Sequence, residues 1–323
     1  MAAALEMPRF RIGADENGLG PRLGPMVVTA VLAEVTQEGA AIVGRRARGA
    51  LAERLGDSKQ LVSHGDVALG EAWARALVRR VSGSTPAVTS PDELIHALSA
   101  DDRDVLRAPC PAHVAPQCWS AEGEAFTAPN ELVDIVARDL DRLAERGVNV
   151  VAVRSVILCA KRLNDGLDAG KNRFVLDLHA MERLVLDLRA RASGDVLAVC
   201  GKVGGFGKYG AAFGPLSGRL FSVLEEGRAR SAYHFPGLGE IAFVRDSDDS
   251  DLCVAMASLV GKYLREVLMA KVVRFYRGEL AELPDASGYH DPVTKSFVDA
   301  TALLRTRREV PDRCFERRGA KDP

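Results

Sequence analysis

Residues 12–25 read Ile12-Gly13-Ala14-Asp15-Glu16-Asn17-Gly18-Leu19-Gly20-Pro21-Arg22-Leu23-Gly24-Pro25. An apolar strand over residues 9–14 closes on two adjacent acids, and three glycines and two prolines follow within eight residues. A carboxylate pair at a strand end invites a hard cation. Mg²⁺ takes oxygen ligands and uses one or two protein carboxylates together with substrate phosphates. Gly18 and Gly20 let the backbone approach a substrate closely and aim its N–H groups at it. The alternative is a tight turn carrying two solvated acids. A dinucleotide-binding loop fits poorly: the third glycine is missing from its place, and the Asp-Glu pair would repel a pyrophosphate.

Downstream, Val27–Val35 is apolar apart from Thr29 and Glu34, as a central strand buried on both faces would be. Residues 26–34 are thus a second strand, and the Ala/Arg/Leu-rich residues 40–55 a helix. After Asp57-Ser58-Lys59, Ser63 is placed to cap a helix running to about Val81. Amphipathic spacing predicts helices over 130–146, 171–192, 252–275 and 292–304; Phe174, Leu178, Met181, Val185 and Leu188 share one face of the second. Strands are expected at 150–158, 195–200, 220–224 and 241–244. Residues 83–130 hold six prolines and two cysteines with no long periodic run; beyond a short helix at Pro91 they read as loop, an insertion or cap. The alternation of strands and helices gives an α/β or mixed α+β fold with one central sheet. A single domain is expected over 1–304, with a basic tail at 305–323.

Composition narrows the function classes. The 323 residues are 47% hydrophobic and 27% charged with a net charge of −1, which excludes wholesale disorder. A non-specific nucleic-acid coat protein would be strongly basic, so a polyanionic partner must meet a local basic patch. Apolar runs such as Val27–Leu32 and Val196–Cys200 are too short to span a bilayer. Met1–Phe10 lacks the apolar stretch of a secretory leader. A cytoplasmic location is expected, with Cys110, Cys118, Cys159, Cys200, Cys253 and Cys314 as free thiols. No CxxC pair supports zinc, and the six histidines assemble no metal site; His179 has no partner one turn on.

Asp-Glu-x-Gly-x-Gly-Pro-x-x-Gly-Pro after a first strand resembles the signature of the type 2 ribonuclease H family (ribonuclease HII). Further blocks follow in the family's order: Gly56-Asp57-Ser58-Lys59-Gln60-Leu61, Ala255–Glu266, and Ser287-Gly288-Tyr289-His290-Asp291-Pro292-Val293-Thr294. The resemblance spans residues 10–300, with 83–130 left without a counterpart. It implies a ribonuclease H-like fold, a central mixed sheet flanked by helices with a helical C-terminal region. It also implies hydrolysis of RNA paired to DNA by carboxylates around two divalent metals, Mg²⁺ or Mn²⁺. One metal activates the water and the other stabilises the leaving 3′ oxygen. Asp15 and Glu16 map onto the first two acids. Counting back from Lys262 puts the last acid at Asp248, within the cluster Asp246, Asp248, Asp249, Asp251 that leaves the register open.

The family's third acid should end the strand 195–200, but the chain reads Val199-Cys200-Gly201-Lys202 there and offers no carboxylate. Asp165, Glu225 and Glu226 are candidates to compensate. The resemblance also assigns substrate contacts. Gly18, Leu19 and Gly20 occupy the place of a Gly-Arg-Gly that reads the ribose 2′-OH, Lys59 approaches phosphate, and Tyr289 packs on the sugar. Lys262 and Arg265 are one helical turn apart and face one groove. The loop Gly204–Tyr209 and the tail arginines Arg305, Arg307, Arg308, Arg313, Arg317 and Arg318, with Lys321, are candidates to flank a duplex. The implied partner is an RNA/DNA hybrid or a ribonucleotide-containing duplex. The implied activity is a divergent metal-dependent endoribonuclease, or a cleft that binds such duplexes without efficient cleavage; a cleft serving another polyanion is a third reading.

Overall fold

The computed structural model describes residues 9–83, 88–204 and 207–319. Among the described residues, seven strands form one sheet: β1 (Phe10–Asn17), β2 (Met26–Val35), β3 (Val148–Leu158), β4 (Val196–Gly201), β5 (Ser222–Glu226), β6 (Arg230–Phe235) and β7 (Gly239–Val244), in the order β3-β2-β1-β4-β7-β6-β5. β1, β2 and β3 form an antiparallel meander, whereas β4 runs parallel to both β1 and β7. The mixed α+β fold with one central sheet is as expected. The apolar run at residues 26–35 is a strand buried almost throughout.

The helices are α1 (Gln37–Val43), α2 (Ser58–Leu61), α3 (Ala68–Ser82), α4 (Pro91–Leu98), α5 (Arg103–Arg107), α6 (Ala115–Trp119), α7 (Asn130–Glu145), α8 (Ala160–Asp168), α9 (Arg173–Arg189), α10 (Leu252–Arg277), α11 (Pro292–Arg307) and α12 (Asp312–Phe315). They cover both faces of the sheet. α10, α3 and α7 pack on one face through Met256, Leu259, Trp73, Leu77 and Leu140, where Val27 and Val31 of β2 meet them. On the other, Leu178, Met181, Val185 and Leu188 of α9 meet Ile12, Ala14, Val28 and Ala30. Alternate residues of one strand thus serve opposite layers.

Several elements depart from the sequence reading. The helix expected over 40–55 is α1, capped by Thr36, which accepts from the Gly39 N–H, and then a 3₁₀ turn at Gly49–Glu53. Ser63 caps nothing; it pairs with Asp66, and α3 begins at Ala68. Residues 88–130 hold two short helices beyond the one expected at Pro91. They fold into α4, α5 and α6, and Leu94, Ile95, Leu98, Leu106 and Trp119 join the core. Asp165, one of the candidate acids, lies inside α8. The boundary set at Leu304 falls within α11, and Cys314 and Phe315 of α12 are buried against α10 and α11. Lys321, Gly205 and Phe206 lie outside the described residues. No helix among the described residues is long and apolar enough to cross a membrane, and all six cysteines are free thiols.

Candidate active site

β1 extends further than its apolar run, so Asp15 and Glu16 are strand residues paired with Thr29 and Val28 of β2. Period-two alternation sends them to opposite faces. Ile12 and Ala14 point toward α9. Gly13 points toward α10, so closely that a Cβ there would lie 2.2 Å from the Val254 nitrogen. Asp15 continues the α10 side and Glu16 the α9 side. The close approach at Gly13 seats α10 alongside β1: Asn17 Nδ2 donates to the Ser258 carbonyl at 3.1 Å, and Ser258 Oγ lies 2.9 Å from Ser58 Oγ of α2.

A cleft of about 340 Å³ opens where β1, β4 and β7 end. Nine of the residues named from the sequence line it: Asp15, Glu16 and Asp248, Gly18, Leu19 and Gly20, and Lys59, Lys262 and Tyr289. Arg265, expected to face the groove with Lys262, is instead fully buried and donates to Glu266 and to the Ser287 carbonyl. Gly18 has φ +98, a left-handed conformation that costs glycine little. The loop is held from behind. Arg22 and Leu23 donate backbone N–H groups to the Gly288 carbonyl at 2.8 and 3.0 Å. Arg317, buried, donates to the carbonyls of Gly24 and Gly18. The Gly288–Thr294 block has its own local logic: Asp291 caps α11, accepting from the Thr294 N–H at 2.7 Å, with Pro292 in the first turn. Tyr289 is held beside Arg265 and Lys262, whose charged groups lie 4.5 and 5.7 Å from its ring centre.

The electrostatics of the cleft floor are unusual. Burial raises the Asp15 carboxyl to about 8; a hydrogen bond with Ser258 opposes this, and the charges of Asp248 and Glu16 add to it. Burial likewise raises Glu16 to about 7, against the Leu19 N–H and the cations Arg317, Lys59 and Arg265. Asp248 is raised by burial and by Asp57, and lowered by Lys59. Of the acidic cluster whose register the sequence leaves open, Asp246 and Asp248 both line the cleft, whereas Asp249 pairs with Arg46 at 3.0 Å and Asp251 caps α10 and pairs with Arg11.

The acids offered as compensation are not there. Glu225 pairs with Arg230 at 2.6 Å and Glu226 accepts from Tyr233 Oη at 2.8 Å on the edge hairpin; Asp165 pairs with Lys161 and Arg313. Cys200 is fully buried in the α9-side core, an ordinary strand residue. The tail arginines are also mostly spoken for. Arg313 and Arg318 pair with Asp168, Arg305 stacks on Phe315 at 3.9 Å, and Arg308 pairs with Glu279. Lys208 stays exposed near Glu226, and His290 is exposed outside the cleft lining.

The sequence reading missed Asp177 of α9, which lines the cleft floor and is buried. Burial, then the charges of Glu16 and Asp15, push its carboxyl well above the usual range. The signal was present: Asp177 falls three residues after Phe174 and four before Met181, an acid on the face read as apolar. The donor chemistry of the floor suits a hard divalent cation, since Glu16 Oε1 and Asp177 Oδ1 are buried without hydrogen-bond partners. Among the described residues, however, no three His, Cys, Asp or Glu side chains form a ready-made metal centre.

No protein-family model and no curated protein matches the chain. Solved structures similar to it include ribonuclease HII of Archaeoglobus fulgidus in complex with PCNA, 14% identical, TM-score 0.42, over 97% of this chain and 96% of that one. Bst-RNase HIII in complex with Mn²⁺ is 15% identical, TM-score 0.44, over 98% of this chain and 70% of that one. Ribonuclease H2 from Pyrococcus horikoshii OT3 is 12% identical, TM-score 0.40, over 95% and 92%. These likenesses leave the chemistry to the residues of the cleft.

Proposed function

We propose that the chain is a metal-dependent endoribonuclease acting on RNA paired to DNA, including duplexes with embedded ribonucleotides. One observation carries the reading: residues scattered from Asp15 to Tyr289, each named from the sequence, line a single cleft with carboxylates on its floor and cations on its wall. Asp15, Glu16 and Asp248 would hold Mg²⁺ or Mn²⁺, which when bound supplies activation of water and stabilisation of the leaving 3′ oxygen. Lys59 and Lys262 attract the phosphate backbone. The Gly18–Gly20 backbone and Tyr289 address the sugar, where the 2′-OH distinguishes RNA from DNA. A second reading, a cleft that binds hybrids but cleaves them slowly, is favoured by the absent acid at Cys200-Gly201.

Mobility-shift titrations in Ca²⁺, which suppresses cleavage, test the binding shared by both readings. Hybrid and ribonucleotide-containing duplexes should bind more tightly than plain DNA, with affinity falling as salt rises by a log–log slope of roughly −0.9 per phosphate contacted. Tyr289→Ala should lower that preference. Equal affinity for DNA and hybrid at every salt concentration would remove RNA recognition from the function.

A further inference from the structure

We propose that Asp177, carried on α9, supplies the metal-facing carboxylate that the end of β4 lacks. The inference rests on the metal-dependent reading of the cleft and concerns which residues complete it. The strand cannot supply this acid itself in its present arrangement. Cys200 pairs with Ala14 and is sealed in the core. Gly201 lies beside Asp15, where a Cβ would come within 2.6 Å of Asp15 Oδ1.

Asp177 occupies the opposite side of the same floor, on Glu16's face of the sheet. It is 2% exposed, on a helix face otherwise made of Leu178, Met181 and Val185 packed on the sheet. A buried carboxylate ordinarily has a cation or several donors. The other buried acids obey this. Glu182, on the same helix, accepts from the Gly214 and Leu216 N–H groups, Asp139 holds Arg54, Asp92 holds Lys271, and Asp101 holds Arg162 and Arg183. Asp177 Oδ1 has no partner, and the ionisable groups acting on Asp177 are the carboxylates Glu16 and Asp15. Its position is also fixed: Arg173, one turn earlier, donates to the carbonyls of Leu19 and Pro21, tying the start of α9 to the glycine loop. An acid so held, facing two other acids and no protein cation, is stabilised by a positive charge from outside the chain, and oxygen ligands select a hard divalent cation.

The test measures metal binding and stability, not turnover. Mn²⁺ is titrated calorimetrically into wild type, Asp15→Asn, Asp177→Asn and Asp177→Ala, and thermal unfolding of each is followed without metal. Asp177→Asn and Asp177→Ala should bind Mn²⁺ at least tenfold more weakly than wild type, while the metal-free Asp177→Asn unfolds at the same or a higher temperature. Wild-type binding that Asp15→Asn abolishes and both Asp177 variants retain in full would overturn the assignment while leaving the metal site intact. No Mn²⁺ binding by wild type would overturn both. An isosteric Asp177→Asn that is destabilised or unfolded without metal would also overturn it, because the carboxylate would then serve the fold.

Discussion

Asp15 and Glu16 are held partly protonated at neutral pH, at about 8 and about 7, by the protein around them. In the unfolded chain these groups titrate near 3.8 and 4.5. The folded state therefore binds more protons between those values and the raised ones, and stability falls as pH rises through that window. The melting temperature of the metal-free protein should thus decline from pH 5 to pH 8, and Asp15→Asn should flatten the decline; a melting temperature that climbs over this range contradicts the account. The two candidate positions for a restored acid separate at the same scale. Cys200→Asp would bury an unpaired charge and should cost on the order of 3–5 kcal/mol by denaturant titration. Gly201→Asp requires only the flexible end of Asp15 to move, and should raise cleavage of a ribonucleotide-containing duplex. The Asp-Glu pair was legible because two acids closing an apolar strand are chemically conspicuous. Asp177 was overlooked although its spacing from Phe174 and Met181 puts it on the apolar face, because a lone acid in an amphipathic helix is ordinarily solvated.

The C-terminal segment is an element whose role changes between sequence and structure. Seven basic residues after Leu304 suggest a polyanion-binding tail, yet Arg317 is buried behind the glycine loop and Asn164 donates to the carbonyls of Arg313 and Glu316 at 2.9 and 2.8 Å. The segment buttresses the site. Phe315→Ala should accordingly cost about 3–5 kcal/mol of stability. Removing the chain after Leu304 should unfold the protein or disorganise the loop, where a loose tail would only have weakened binding evenly. Circular dichroism melts of both variants decide this. Among the strands, β2 was legible from its unbroken apolar run, whereas β6, Arg230-Ser-Ala-Tyr-His-Phe235, carries polar residues within it and is defined by pairing with β5 and β7.

Across the whole molecule, the sequence blocks acquire a common cause: each closes one side of a cleft at the end of β1. The order of the sheet puts β1 between β2 and β4, so the acids of β1, the loop after β7 and the helix α10 meet there. Within residues 88–130 the helix at Pro91 was legible, but α5 and α6 were not, because they are five residues each and owe their order to burial of Leu106 and Trp119 in the core rather than to periodicity. The measurement that bears most directly on the account is cleavage of an end-labelled duplex containing a single ribonucleotide, in Mg²⁺ and in Mn²⁺. Metal-dependent cutting at the ribonucleotide is expected, abolished by Asp15→Asn, with all-DNA duplex left intact. No cutting in either metal, or cutting that Asp15→Asn leaves unchanged, would contradict it.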